Sequence, residues 1–167
     1  MPGCDGPRYR SVLLVREDSA AQTLADLRGS ACVCNESDSQ SGMNSLLRVT
    51  APLVRENRFF AGHRFTGAHA NSMAAVRAGT AAVCAVDCVS YALLRRHQPA
   101  ATSELRAIGY TASAPGLPYV TAADTPQDTV ERLREAVAAA LADPDLAEPR
   151  DALFIAGAET LTADDYA

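Results

Sequence analysis

Three short stretches carry side chains that could hold a negatively charged group. Asn35 to Gly42 supplies hydroxyls at Ser37, Ser39 and Ser41 and a glycine that lets the backbone come close. Thr66-Gly67-Ala68-His69 adds a hydroxyl, a second glycine and an imidazole, and Asp87 to Ser90 closes a further apolar run with a carboxylate. Where such stretches open helices, free backbone N–H groups and the helix dipole favour an anion. Each has a plainer explanation. A serine, threonine or aspartate before a helix commonly serves as its N-cap, worth about 1 kcal/mol, and a single histidine is commonly structural. Two such loops after successive strands put the anion site on an equal footing with the plainer explanation.

Cysteine chemistry is the other candidate. Five cysteines cannot all pair, which argues against a disulfide framework. Cys32 and Cys34 alternate along one strand and should share a face, while Cys84 and Cys88 flank the end of another. The C-x-C and C-x₃-C spacings differ from zinc-knuckle spacing, so no metal and no cofactor is expected, and the thiols read as buried and free.

The elements that would position these residues alternate. Ser11 to Val15 is a continuous apolar run, predicting a strand covered on both faces. Thr23 to Arg28 with Gly29 predicts a short helix and its C-terminal glycine. A strand over Ala31 to Cys34 leads into the polar loop and a helix through Met43, Leu46, Leu47 and Val49, closed by Pro52. A strand-like segment from Phe59 to Phe65, a helix from His69 to Gly79, a strand from Ala81 to Val86 and a helix through Tyr91 and Leu94 follow. Strands are then expected at Leu105 to Tyr110 and at Tyr119 to Thr121. Thr125-Pro126-Gln127-Asp128 opens a helix with an apolar stripe at Val130, Leu133, Val137 and Leu141. Strands alternating with helices at this spacing build an α/β sheet from crossover units, with ligands outside the carboxyl ends of its strands.

Composition bounds the partners. The 167 residues are 48% hydrophobic and 21% charged, enough for a real core. All fifteen cationic side chains are arginines, yet the net charge is -5, which argues against a nucleic-acid partner. No apolar run approaches the ~20 residues of a membrane span, so no membrane insertion is expected. Met1 to Pro7 lacks a basic segment followed by an apolar one and does not read as a secretory signal.

Four stretches together resemble the phosphonate/phosphate-type solute-binding proteins of ABC transporters, a branch of the type II periplasmic-binding fold. They are Tyr9 to Ser19, Asn35 to Gly42, Thr66 to Ser72 with Ala74-Ala75-Val76, and the turn Ser113-Ala114-Pro115-Gly116-Leu117-Pro118. Their order and separation agree over roughly residues 9 to 156. The resemblance implies a two-lobed clamshell closing on a small oxyanion, delivery to an ABC permease, and work in the periplasm. It implies that Ser39, Gln40 and Ser41 cradle the phosphoryl group, that His69 contacts it and that Tyr9 lines the ligand. Asp87 is a further candidate, with N-capping as its alternative role.

Two departures refine these expectations. Relatives that bind aminoalkylphosphonates place carboxylates near the positions of Val89 or Ser90 and of Leu117. Without them a buried ammonium would go unpaired, so phosphate, phosphite or a simple phosphonate is expected. The chain also begins close to the first hinge strand. The implied layout is residues 1–17 as N-terminal segment and first hinge strand, 18–105 as a complete second lobe, and 106–167 as the return strand and remainder of lobe one. The expected fold class is therefore α/β and periplasmic-binding-protein type II-like: one complete three-layer α/β lobe plus part of the other. An incomplete lobe exposes edges and invites a homodimer.

Two other functions compete with this one. The same fold could serve as a cytosolic ligand-sensing domain. A Cys–His hydrolase, with Cys84 or Cys88 as nucleophile, His69 as base and Asp87 orienting it, lacks any nucleophile-elbow pattern.

Overall fold

The computed structural model describes residues 3–166; Met1 and Pro2, with which the N-terminal reading began, lie outside the described residues, as does Ala167. In chain order the strands are β1 (Arg8–Tyr9), β2 (Ser11–Arg16), β3 (Ala31–Cys34), β4 (Gly62–Phe65), β5 (Val83–Asp87), β6 (Leu105–Tyr110) and β7 (Ala114–Pro115). The helices are α1 (Ser45–Thr50), α2 (His69–Arg77), α3 (Cys88–His97), α4 (Pro99–Thr102), α5 (Gln127–Ala142) and α6 (Ala147–Ala152).

Five strands form one sheet in the order β4-β3-β5-β2-β6. β3 runs parallel to β4 and β5, whereas β2 runs antiparallel to both of its neighbours. This arrangement decides where chemistry can sit. The carboxyl ends of β3, β4 and β5 share one edge of the sheet, and the reversed β2 begins there, with Ser11 opposite Asp87 in register. The three loops singled out above therefore leave from one place.

The alternation within β2 sends its side chains to opposite faces. Val12 and Leu14 pack with Val33, Met73, Val76, Cys84 and Val86 beneath α2 and α3. Leu13 and Val15 pack with Cys32, Cys34, Leu46, Phe59 and Val83 on the side of α1. Leu14, Val15, Val33, Cys84 and Val86 are fully enclosed, as the apolar runs of two central strands require. Cys32 and Cys34 share a face, as expected, and Cys84 lies on the other. The result is the expected α/β class: a sheet flanked by helices on both faces.

Several local expectations change. The helix at Thr23 is a 3-10 turn, Leu24–Leu27, opened by Asp26 Oδ2, which accepts from Gln22 N, Thr23 N and Thr23 Oγ1. The strand expected from Phe59 begins only at Gly62, as β4, and Phe59 is instead buried in the core. Tyr119 to Thr121 forms no strand: Tyr119 and Val120 are exposed, and the pairing in that region is β1 with β7, Arg8 opposite Pro115. α5 forms at the expected place, starting at Gln127 directly after Pro126, yet none of its residues is buried. Leu133 and Val137 keep 49% and 37% of their surface exposed.

Candidate functional site

The loop after β3 reaches α1 through a wide π-type turn, Gln40–Asn44. The N–H groups of Met43 and Asn44 both donate to the Ser39 carbonyl, and Gly42 N–H donates to Ser39 Oγ at 3.0 Å. Gly42 must be glycine here. A Cβ at that position would lie 1.9 Å from Asn35 Oδ1, a buried oxygen with no donor of its own among the described residues. The neighbouring loop is tied to the same backbone, since Gly67 N–H donates to the Asn35 carbonyl at 2.9 Å. Gly67 has φ +80°, the left-handed region that suits glycine.

His69 is the first residue of α2. Its N-cap, Ala68, has no side chain able to cap, so the donors of the first turn meet no side-chain acceptor. Two polar atoms converge on the imidazole. Ser41 Oγ lies 2.9 Å and Asp87 Oδ2 3.4 Å from His69 Nε2. Asp87 also caps α3, with Oδ1 accepting from Ser90 N–H at 2.8 Å. Behind Ser41, the Ser11 hydroxyl donates to its carbonyl at 2.8 Å, and Ser11 N–H donates to Thr111 Oγ1 at 2.9 Å.

The His69 ring is largely enclosed, and burial lowers its pKa below the ordinary value, against the charge of Asp87 and the Ala85 carbonyl, which favour the cation. Burial thus favours the neutral ring at neutral pH. Its Nδ1 is buried and makes no hydrogen bond of good geometry among the described residues. Serine and carboxylate both address Nε2, unlike a Ser–His–Asp triad, in which the acid holds the other nitrogen. The thiols do not join this group. Cys84 is sealed in β5, where burial pushes its thiol up, and the polar neighbour of Cys88 Sγ is Cys4 Sγ.

Among the residues singled out from sequence, Ser41, His69 and Asp87 come together in direct contact. Ser39 stands at the same turn with its oxygen engaged by Gly42. Tyr9 is buried nearby. Burial raises its pKa, and Asp87 and then Cys88 add to the rise by charge. Gln40 is exposed, and its side chain accepts from Asn44 Nδ2 at 3.4 Å rather than joining the cluster. Thr66 spends its hydroxyl on the Cys34 and Ala68 carbonyls and Ser72 Oγ. Sequence reasoning missed Ser11 and Thr111 as supports and named Asn35 only as the start of its loop. The one available signal was a serine opening an otherwise apolar strand; it is 1% exposed.

A model of the family described as "ABC transporter, phosphonate, periplasmic substrate-binding protein" matches residues 3–166. The chain belongs to this family. No curated protein gives a significant match. Among solved structures, this chain is similar to PhnD1 from Prochlorococcus marinus in complex with methylphosphonate, with a TM-score of 0.81, 16% identity, and 96% of this chain and 64% of that one covered. It is also similar to XAC2383 from Xanthomonas citri bound to ATP, with a TM-score of 0.75, 21% identity and coverage of 95% and 62%. A third is a binding-protein component of an ABC phosphonate transporter from Pseudomonas aeruginosa, with a TM-score of 0.70, 20% identity and coverage of 90% and 50%. At such identities the likeness is one of fold, the type II periplasmic-binding fold. The family member described here spans between half and two thirds of the length of these relatives. No helix among its described residues is long and apolar enough to cross a membrane.

Proposed function

We propose that this chain supplies the oxyanion-holding wall of a non-catalytic solute receptor that serves an ABC permease from the periplasm. In this reading residues 18–105, with the strands that bracket them, form the lobe that carries the site, and residues 106–167 belong to the other lobe. The observation that carries it is the 2.9 Å contact between Ser41 Oγ and His69 Nε2, which joins helix starts from two parallel strands. A phosphoryl oxygen entering there would take over the Ser41 hydroxyl and the imidazole from each other. The Ser39 hydroxyl proton and the first-turn N–H groups of α2 offer further donors. Gly42 keeps the turn close enough to Asn35 for both loops to face one ligand.

The ligand is a phosphate, a phosphite or a simple phosphonate. Val89, Ser90 and Leu117 offer no carboxylate for an amine. Asp87 acts as a positioning residue: it caps α3 and stabilises the imidazolium that an approaching dianion favours. Tyr9 lines the ligand from the side of Asp87.

Thermal unfolding in a panel of phosphate, phosphite and methylphosphonate tests this reading. At a ligand concentration about tenfold above the dissociation constant, the melting temperature should rise by about 3–6 °C. His69→Ala should abolish the rise. A flat response of the wild-type chain to the whole panel overturns the proposal.

A further inference from the structure

Cys4 and Cys88 are 84 positions apart in sequence, yet their sulfurs lie 3.7 Å apart. The N-terminal turn brings them together. Gly3 and Gly6 hold φ +72° and +55°, folding the segment back over the start of α3. Cys4 packs there against the core side that contains Val86 and Cys88. The backbone N–H of Cys88 donates to the Arg10 carbonyl at 2.9 Å, so the strand that follows the turn is fixed to the same helix start. The other three cysteines are in a different position: Cys34 and Cys84 are fully enclosed and Cys32 is 4% exposed, out of reach of any reagent while the chain is folded.

We propose that Cys4 and Cys88 form a reversible disulfide by exchange with a small external disulfide such as oxidised glutathione. The step goes beyond the ligand-binding reading and does not depend on it. The sulfurs must approach by about 1.7 Å to reach bonding distance, within the reach of side-chain rotation. Cys4 is half-buried and meets the reagent first. Its thiolate attacks one sulfur of the external disulfide, giving a mixed disulfide and releasing one small thiolate. The Cys88 thiolate then attacks Cys4 Sγ, closing the intramolecular bond and releasing the second thiolate. Two cysteine thiols are oxidised, one external disulfide is reduced, and the two protons pass to the released thiolates. Burial pushes the Cys88 thiol up, but its attack is intramolecular and needs no access from solvent. The family is periplasmic, and that compartment sustains disulfides. The bond would pin the N-terminal turn beside Asp87 and Tyr9.

The test uses the whole chain, purified reduced and equilibrated with oxidised glutathione. Acid quenching, denaturation and alkylation then count free thiols by mass. The expected result is three alkylated cysteines out of five, with one linked peptide pair containing Cys4 and Cys88 and no linkage in Cys4→Ser. Five free thiols in the wild-type chain, or a linkage that uses Cys32, Cys34 or Cys84, would overturn the assignment. The peptide map of the wild-type chain decides the matter even if the variant folds poorly.

Discussion

Ser41 Oγ and His69 Nε2 sit 2.9 Å apart although the two residues follow different strands. The contact exists because β3 and β4 run parallel and end at the same edge, with Cys34 opposite Phe65 in register. Ser41 and Asp87 both crowd that imidazole nitrogen, while the other makes no hydrogen bond of good geometry among the described residues.

That enclosure makes stability depend on pH. The native His69 pKa lies below its unfolded value, since burial disfavours the cation. The unfolded chain therefore binds the extra proton first, and stability rises with pH in this window. The contribution is complete above the unfolded value near 6.5 and is lost as pH falls through it toward the lower native value. Denaturant titrations at neutral pH and near pH 5 should show wild-type stability falling more steeply than that of His69→Gln. Asp87→Asn, which removes a charge favouring the cation, should push the native His69 pKa lower still.

Capping and charge at Asp87 can be separated. Asp87→Ala removes the acceptor of Ser90 N–H and should cost about 0.5–2 kcal/mol. Asp87→Asn keeps an acceptor there and should retain most of that stability at neutral pH. Equal losses in the two variants would show that the carboxylate charge, not the cap, holds α3.

Gly42→Ala should destabilise the chain by about 1–3 kcal/mol, because its Cβ would meet Asn35 Oδ1 in an enclosed place. Adding Asn35→Ala removes the obstacle and should recover part of the loss, giving a favourable coupling in a double-mutant cycle. Strictly additive losses would mean that the turn does not rest on Asn35.

How far the sequence revealed this arrangement depends on the kind of signal each residue leaves. Val12 to Val15 and Val83 to Val86 were legible as central strands because enclosure on both faces demands an unbroken apolar run. The loops at Ser39 and His69 were legible because glycine, hydroxyl and imidazole cluster at strand ends. The π turn at Gln40–Asn44 was not, since a widened turn leaves no periodicity in five residues. Tyr119 to Thr121 has strand-forming side chains, but propensity alone makes no strand without a neighbour to bond. Ser11 passed unnoticed because its importance lies in a bond to Ser41, thirty positions away.

The apolar stripe of α5 offers a contrast with the core. Leu46→Ala, at a nearly enclosed position, should cost about 2–5 kcal/mol. Leu133→Ala, half exposed, should cost under about 0.5 kcal/mol by chemical denaturation. A loss at Leu133 as large as that at Leu46 would mean that the helix face is covered in solution; sedimentation at two concentrations would then show whether a second copy covers it.

Nuclear magnetic resonance of the histidine rings gives the most direct test of the anion site. His69 is half-buried, whereas His63 and His97 are exposed. In excess methylphosphonate the titration midpoint of His69 should move upward, because an anion beside the ring stabilises its protonated form. A His69 midpoint that is the same with and without methylphosphonate would contradict an oxyanion seated between Ser41 and His69.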